Sequence, residues 1–112
     1  MNYTFLTINE KKYPCKFGFN ALRKYSNLTN TSLQDLDKLG QDMTLDGALT
    51  LIYCGIQDGY RAAKQEMNLS MDDLADLIDG DFECIGKAME ILSEQMGSES
   101  AKKKKAKKKQ VL

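Results

Sequence analysis

The residue types best able to do chemistry in this chain are carboxylates, which concentrate between residues 72 and 83. Asp72, Asp76 and Asp79 recur with i, i+4, i+7 spacing, so a helix would carry them on one face. Such a face could bind a divalent cation or supply an acid and a base. However, acids also alternate with core positions on solvated helices, and the helix dipole favours them in a first turn. We therefore interpret this cluster as a solvated face.

Other patterns typical of enzymes and metal sites do not occur in the sequence. It contains no histidine, which is the commonest general base and a common zinc ligand. Cys15, Cys54 and Cys84 form no CxxC pair, and there is no phosphate-binding GxxxxGK[ST] loop. We predict a protein that is not an enzyme and has no catalytic residues, metal site or cofactor. The cysteines are expected to be reduced and buried, with a redox or intermolecular disulfide role as the alternative.

A lysine run divides the chain into two regions of opposite charge. Residues 97–112 hold seven of the sixteen basic side chains and one of the sixteen acidic ones, which leaves nine basic and fifteen acidic in residues 1–96. We predict a folded domain over residues 1–96 and a disordered basic tail over residues 97–112, because the tail has little apolar surface to bury. The lysines of the tail are Lys102, Lys103, Lys104, Lys105, Lys107, Lys108 and Lys109.

Three interpretations of the basic tail remain open. Its lysines would attract phosphates, but without arginine or aromatic side chains any binding of nucleic acid would be nonspecific and salt-sensitive. The tail could instead act only as a solubilising segment. Consecutive lysine codons are also runs of adenine, on which ribosomes slip, so the tail could record a frameshift site.

The elements that position these residues are predicted to form an α+β domain. Aromatic and β-branched runs over residues 3–8 and 12–17, separated by residues 9–11, predict an N-terminal β-hairpin. Pro14 cannot donate a ladder hydrogen bond, so its strand is expected at a sheet edge or with a bulge. Four to five helices are expected to follow and to pack on the hairpin. Helix caps are predicted at Ser32 with Asp35, at Thr44, at Ser70 with Asp73, and at Asp81.

The longest predicted helix contains Gly55 and Gly59, one turn apart. An interior glycine costs about 1 kcal/mol relative to alanine, so the pair calls for an explanation. Two glycines on one face let another backbone approach closely. We interpret them as tight packing within the domain, with a partner-docking groove as the alternative.

Three segments, in this order, resemble tail assembly chaperones of tailed bacteriophages. Residues 13–25 are similar to a strand-then-helix signature, F-[GT]-x-x-A-L-[RK], and residues 49–56 to a central helix, L-x-x-L-x-[YW]-A-G-L. Residues 69–79 resemble the element L-T-x-E-E-[VL]-x-D-[LW]-[IL]-D. The resemblance therefore covers most of residues 1–96. Its signature positions are Phe17, Gly18, Ala21, Leu22, Arg23, Tyr53 and Gly55.

The resemblance implies a role in viral morphogenesis. Such chaperones bind the long, helical tape measure protein and keep it soluble until the tail tube forms around it, and they are not components of the finished virion. The major tail tube protein is a further partner, and a homo-oligomer is an open alternative. Many members have a short form and a frameshifted long form, and the lysine run would mark the slip site. With no secretory signal and no apolar run of the ~20 residues that a membrane helix needs, we expect the cytoplasm of the bacterial host.

A tape measure protein exposes amphipathic helices, which bind in apolar grooves. We predict this groove along the last helix, where methionines adapt to varied partners, with burial in the core as the alternative. Two other classes of function stay open: a nucleic-acid-associated accessory protein that uses the basic tail, and a generic oligomerising interaction domain. The predicted contact residues are Phe82, Ile85, Met89, Leu92 and Met96.

Overall fold

A computed structural model describes residues 2–39 and 43–95 of the chain. The predicted α+β class, with a hairpin and four to five helices, is confirmed. Met96 and the predicted disordered tail of residues 97–112 lie outside the described residues. In order, the elements are β1 (Thr4–Ile8), β2 (Lys11–Cys15), α1 (Phe19–Thr29), a 3₁₀ helix (Gln34–Lys38), α2 (Leu45–Ala62), α3 (Met71–Gly80) and α4 (Cys84–Gln95).

The hairpin is tighter than the sequence predicted. Ile8 faces Lys11 across the antiparallel pair, so the turn consists of two residues and not three. Asn9 and Glu10 both have positive φ, 51° and 68°. That is the backbone of a type I′ turn, whose twist matches that of the flanking strands.

Pro14 occupies a strand position that needs no amide hydrogen. Counting from the turn, hydrogen-bonded and non-hydrogen-bonded pairs alternate, and Phe5 opposite Pro14 is a non-hydrogen-bonded pair. The missing N–H would therefore point away from β1. This agrees with the predicted edge strand.

Two of the predicted caps are confirmed, and a third precedes a helix of a different type from the one predicted. The Thr44 side chain accepts a hydrogen bond from the Gly47 amide at 2.9 Å, and Ser70 and Asp73 form a reciprocal capping box at the start of α3. The Asp35 amide also donates to Ser32 Oγ, at 3.2 Å. The helix after it, however, is a five-residue 3₁₀ helix and not an α-helix.

The prediction that Asp81 caps the last helix is wrong. Its Oδ2 accepts a hydrogen bond from the Asn9 backbone amide at 3.0 Å, and α4 begins only at Cys84. The Asn9 side chain in turn donates to the Leu77 carbonyl at 3.1 Å. The hairpin turn lies against the end of α3, so the carboxylate satisfies an amide 72 residues away in the sequence.

The core lies between the inner face of the hairpin and the helices. Helix α2 is its centre, because it contacts β2, α1, α3 and α4, whereas α4 packs chiefly on β1. The largest fully buried apolar side chains are Phe17, Leu6, Ile8, Leu51, Ile52, Ile56 and Leu74.

Candidate functional site

The five predicted contact residues do not form one continuous exposed surface. Leu92 is only 7% exposed, on a stripe with Cys84 and Ala88 that is buried in the core. Phe82 lies just before α4 and is 65% exposed. Ile85 and Met89 are half-buried against the core, and Met96 is outside the described residues. A partner could therefore reach Phe82, Ile85 and Met89, but could not reach Leu92 without opening the core.

We call Phe82, Ile85 and Met89 the α4 stripe. Ile85 and Met89 are one helical turn apart, and the Ile85 amide donates to the Phe82 carbonyl at 3.2 Å, which fixes the phenylalanine at the helix start. Ile85 and Met89 lie beside the buried stripe of α4, and Phe82 directly precedes the helix. Chemically the α4 stripe offers apolar contact: an exposed aromatic ring followed by two anchored aliphatic side chains.

The signature positions Phe17, Gly18 and Gly55 meet where β2 passes into α1. Phe17 is buried, and a Cβ added to Gly55 would collide with its ring. The Lys16 amide donates to the Gly55 carbonyl at 2.9 Å, so the strand end is hydrogen-bonded directly to the helix backbone. Gly18 precedes α1 as its N-cap, with an extended backbone. These positions build the joint between hairpin and helices.

The remaining signature positions lie near this joint but have different environments. Ala21 is completely buried, whereas Leu22 and Tyr53 are half-buried against the core. Arg23 is exposed, and its Nε donates to Asn20 Oδ1 at 3.2 Å. Of these four, Arg23 is the one whose side chain is exposed.

The glycine pair of α2 serves packing within the domain. A Cβ added to Gly59 would fall inside contact distance of the Pro14 carbonyl group and the Cys15 amide nitrogen. Helix α2 therefore crosses β2 backbone against backbone at Gly59, and against the Phe17 ring at Gly55. We call this contact the glycine seam. It agrees with the interpretation of these glycines as tight packing within the domain, and it leaves no space for a partner there.

A buried carboxylate at the glycine seam was missed from the sequence. Asp58 is fully buried, and its Oδ1 accepts a hydrogen bond from Arg61 Nε at 2.8 Å. Among the described residues, no protein donor reaches its Oδ2, which faces the region of Gly18. The sequence signal for this burial was that Asp58 lies between Gly55 and Gly59 on the same face of the helix. Arg61 is 55% exposed, so water screens this ion pair.

The acidic cluster contributes helix-stabilising and exposed residues to α3. Asp72 and Asp73 fall in the first turn, where Asp73 completes the capping box, and Asp76 and Asp79 are exposed. Within residues 2–39 and 43–95, no group of three or more His, Cys, Asp or Glu side chains is arranged to hold a metal ion.

The three cysteines are buried and unpaired, as the sequence predicted for them. Burial raises the pKa of Cys15 to about 12 and the pKa of Cys54 and Cys84 to about 11. Near Cys84, Asp81 adds to this rise and Lys87 opposes it. The thiols are therefore protonated at neutral pH, and a thiol in that state is a poor nucleophile.

Comparisons with protein-family models, with curated proteins and with solved structures found no match for this chain. The resemblance to tail assembly chaperones therefore stays a prediction from the sequence. In the part of the chain that the structure describes, no helix combines the length and the apolar character needed to cross a membrane.

Proposed function

We propose that this protein is a tail assembly chaperone of a tailed bacteriophage or prophage. It binds an amphipathic helix of the tape measure protein and keeps that protein soluble in the bacterial cytoplasm while the tail tube assembles. It catalyses no reaction and is absent from the finished virion. The observation that carries the proposal is the α4 stripe, an accessible apolar surface on a helix whose other face is anchored in the core.

The α4 stripe suits an amphipathic helix for two physical reasons. Phe82 provides an exposed aromatic anchor, the kind of side chain that dominates binding energy at interfaces. Ile85 and Met89 are held against the core before a partner arrives, so little side-chain entropy is lost on binding. The methionine can also adjust its shape to successive turns of a long, irregular partner.

Coexpression tests the function. The tape measure protein encoded in the same gene cluster is produced alone, with the wild-type chain, and with its Phe82→Ala variant. We expect a soluble complex with the wild type, aggregation without it, and a lower soluble fraction with Phe82→Ala. Phe19→Ala is the matched control, because Phe19 at the start of α1 is also an exposed phenylalanine, 82% exposed against 65% for Phe82. Aggregation that the wild-type chain does not reduce would refute the chaperone function.

A further inference from the structure

A groove lies at the end of the domain where α1, the 3₁₀ helix and the start of α2 meet. Its volume is about 550 Å³. Its lining is mostly polar, with apolar contributions from Leu28, Leu39 and Met43, and Asp35 and Asp46 are the charged residues among the described ones that line it. Both carboxylates are exposed, and none of the described residues that line the groove is basic.

This groove differs in kind from the acidic face of α3. On α3 the carboxylates project from a single helix, whereas in the groove exposed carboxylates from the 3₁₀ helix and from α2 line one concave surface together with apolar side chains. Charges of one sign that line a cleft attract cations more strongly than the same charges spread over a convex surface. The groove therefore suits long side chains that combine an aliphatic stem with a positive head, and lysine has that structure.

We propose that the chain's own lysine run, residues 102–109, docks in this groove. The lysine stems would lie on Leu28, Leu39 and Met43, while the ammonium groups would pair with Asp35 and Asp46. The proposal goes beyond the chaperone function and does not depend on it. It gives the charge asymmetry of the chain a physical role, which is to cover an acidic groove on the same molecule.

The length of chain between the domain and the lysines permits this contact. Gln95 ends α4, and its Oε1 accepts a hydrogen bond from the Phe17 amide at 2.7 Å, so α4 ends beside the start of α1. The groove lies at the far end of α1, whose 11 residues rise by about 16 Å. The chain from Gln95 to Lys102 can span up to about 24 Å when extended. The lysines can therefore reach the groove.

Attachment to the same chain makes even a weak contact significant. A short flexible connection gives an effective concentration on the order of millimolar for the tethered segment. Contacts between exposed ammonium and carboxylate groups weaken with salt. The docked state should therefore be populated at low ionic strength and be lost at high ionic strength.

Paramagnetic relaxation enhancement in the full chain tests the proposal. A nitroxide is attached to Gln110→Cys, directly after the lysines, and the backbone amides are observed by NMR. The native thiols are buried with raised pKa, and the wild-type chain treated with the same reagent controls for their labelling. We expect broadening at Thr29, Thr31 and Gly47 around the groove, and its loss at about 0.5 M salt, where charges are screened within a few ångströms.

Matched variants locate the contact. Asp35→Asn with Asp46→Asn should abolish the broadening at the groove, whereas Asp72→Asn with Asp76→Asn on α3 removes the same charge and should leave it unchanged. Asp35→Asn alone removes one groove carboxylate and leaves the sequence of α2 unchanged, so any loss of broadening in this variant does not come from a change in α2. Mixing labelled unenriched protein with unlabelled ¹⁵N-protein separates contacts within one molecule from contacts between copies. Four results would overturn the proposal: no broadening at the groove, broadening centred on α3, broadening that survives both groove substitutions, or broadening that arises only between copies.

Discussion

Helices α2 and α4 have the same kind of apolar spacing but different surroundings. Nine of the 18 residues of α2 are buried, against three of the 12 residues of α4. Elements pack on α2 from several sides, whereas α4 packs chiefly on β1. An apolar spacing of three and four residues therefore identifies one face of a helix, but it does not show what packs against that face. That depends on how many elements the fold places around the helix.

The glycines of the two helices show this difference most directly. Gly55 and Gly59 of α2 lie where an added methyl group would collide with Phe17 or with the β2 backbone. Gly86 of α4 has nothing within 4 Å of an added Cβ. The same substitution should therefore have opposite effects in the two helices.

Of the substitutions in this domain, Gly59→Ala should lower the free energy of unfolding the most. The obstacle is the backbone of Pro14 and Cys15, which cannot move aside as a flexible side chain can. Overpacking of this kind costs about 3 kcal/mol, enough to unfold part of a marginally stable population. Urea unfolding of the wild type and the variant measures the difference. Equal stability would mean that α2 and β2 are not in backbone contact at this point.

Raising the pH should destabilise the domain through its buried thiols. Their folded pKa of about 11 to 12 exceeds the value of ~8.5 expected for an unfolded cysteine. The contribution of the thiols is therefore complete below about pH 8.5 and is lost as pH rises toward their folded pKa, because only the unfolded state releases the protons early. Each thiol adds a slope of about 1.4 kcal/mol per pH unit in this window.

Cys15→Ala isolates one of these thiols. Its own packing cost is constant with pH, so the slope of unfolding free energy between pH 9 and 10.5 is the informative quantity. We expect the slope to decrease by about 1.4 kcal/mol per pH unit relative to the wild type. An unchanged slope would show that the Cys15 thiol ionises as easily in the folded domain as in the unfolded chain.

Arg61→Gln should destabilise the glycine seam by about 1 kcal/mol. The substitution leaves the buried Asp58 carboxylate without its cation, and the exposure of Arg61 reduces the penalty from that of a fully buried pair. In an Asp58→Asn background the same substitution should cost much less, because no buried charge remains. A double-mutant cycle by denaturant unfolding measures this coupling. A coupling free energy near zero would show that the ion pair between Arg61 and Asp58 does not stabilise the domain.

Gly86→Ala should stabilise the domain by up to about 1 kcal/mol. The new methyl group meets open space on α4, and alanine is the better helix former. Thermal unfolding of Gly86→Ala and of Gly59→Ala measures how the same glycine-to-alanine substitution changes stability in the two helices. If both variants lost stability, the surface of α4 near Gly86 would be more closely packed than the structure shows.

Local signals predicted most of the fold. The Thr44 cap and the Ser70–Asp73 capping box depend on residues three positions apart, and the hairpin depends on adjacent runs. Asp81 was assigned wrongly because its actual partner, Asn9, is distant in the sequence. Long-range contacts of this kind follow from the packing of whole elements, which no local pattern contains.

The candidate site was predictable only in part for the same reason. Phe82, Ile85, Met89 and Leu92 share a helical spacing, but how α4 packs on β1 and α2 decides that Leu92 is buried while Phe82 is exposed. The groove between α1 and α2 had no sequence signal, because its walls come from three separate elements.

Binding of the tape measure protein to the α4 stripe can be measured as a difference in affinity between matched variants. Isothermal titration of an amphipathic tape measure segment is carried out with the wild type, Phe82→Ala and Phe19→Ala. Both substitutions remove exposed side chains and should change stability by less than about 0.5 kcal/mol. We predict that Phe82→Ala raises the Kd by about 30-fold or more, as expected for an interface anchor, and that Phe19→Ala leaves it near the wild-type value. Equal affinities for Phe82→Ala and the wild type would show that the α4 stripe does not bind the tape measure protein.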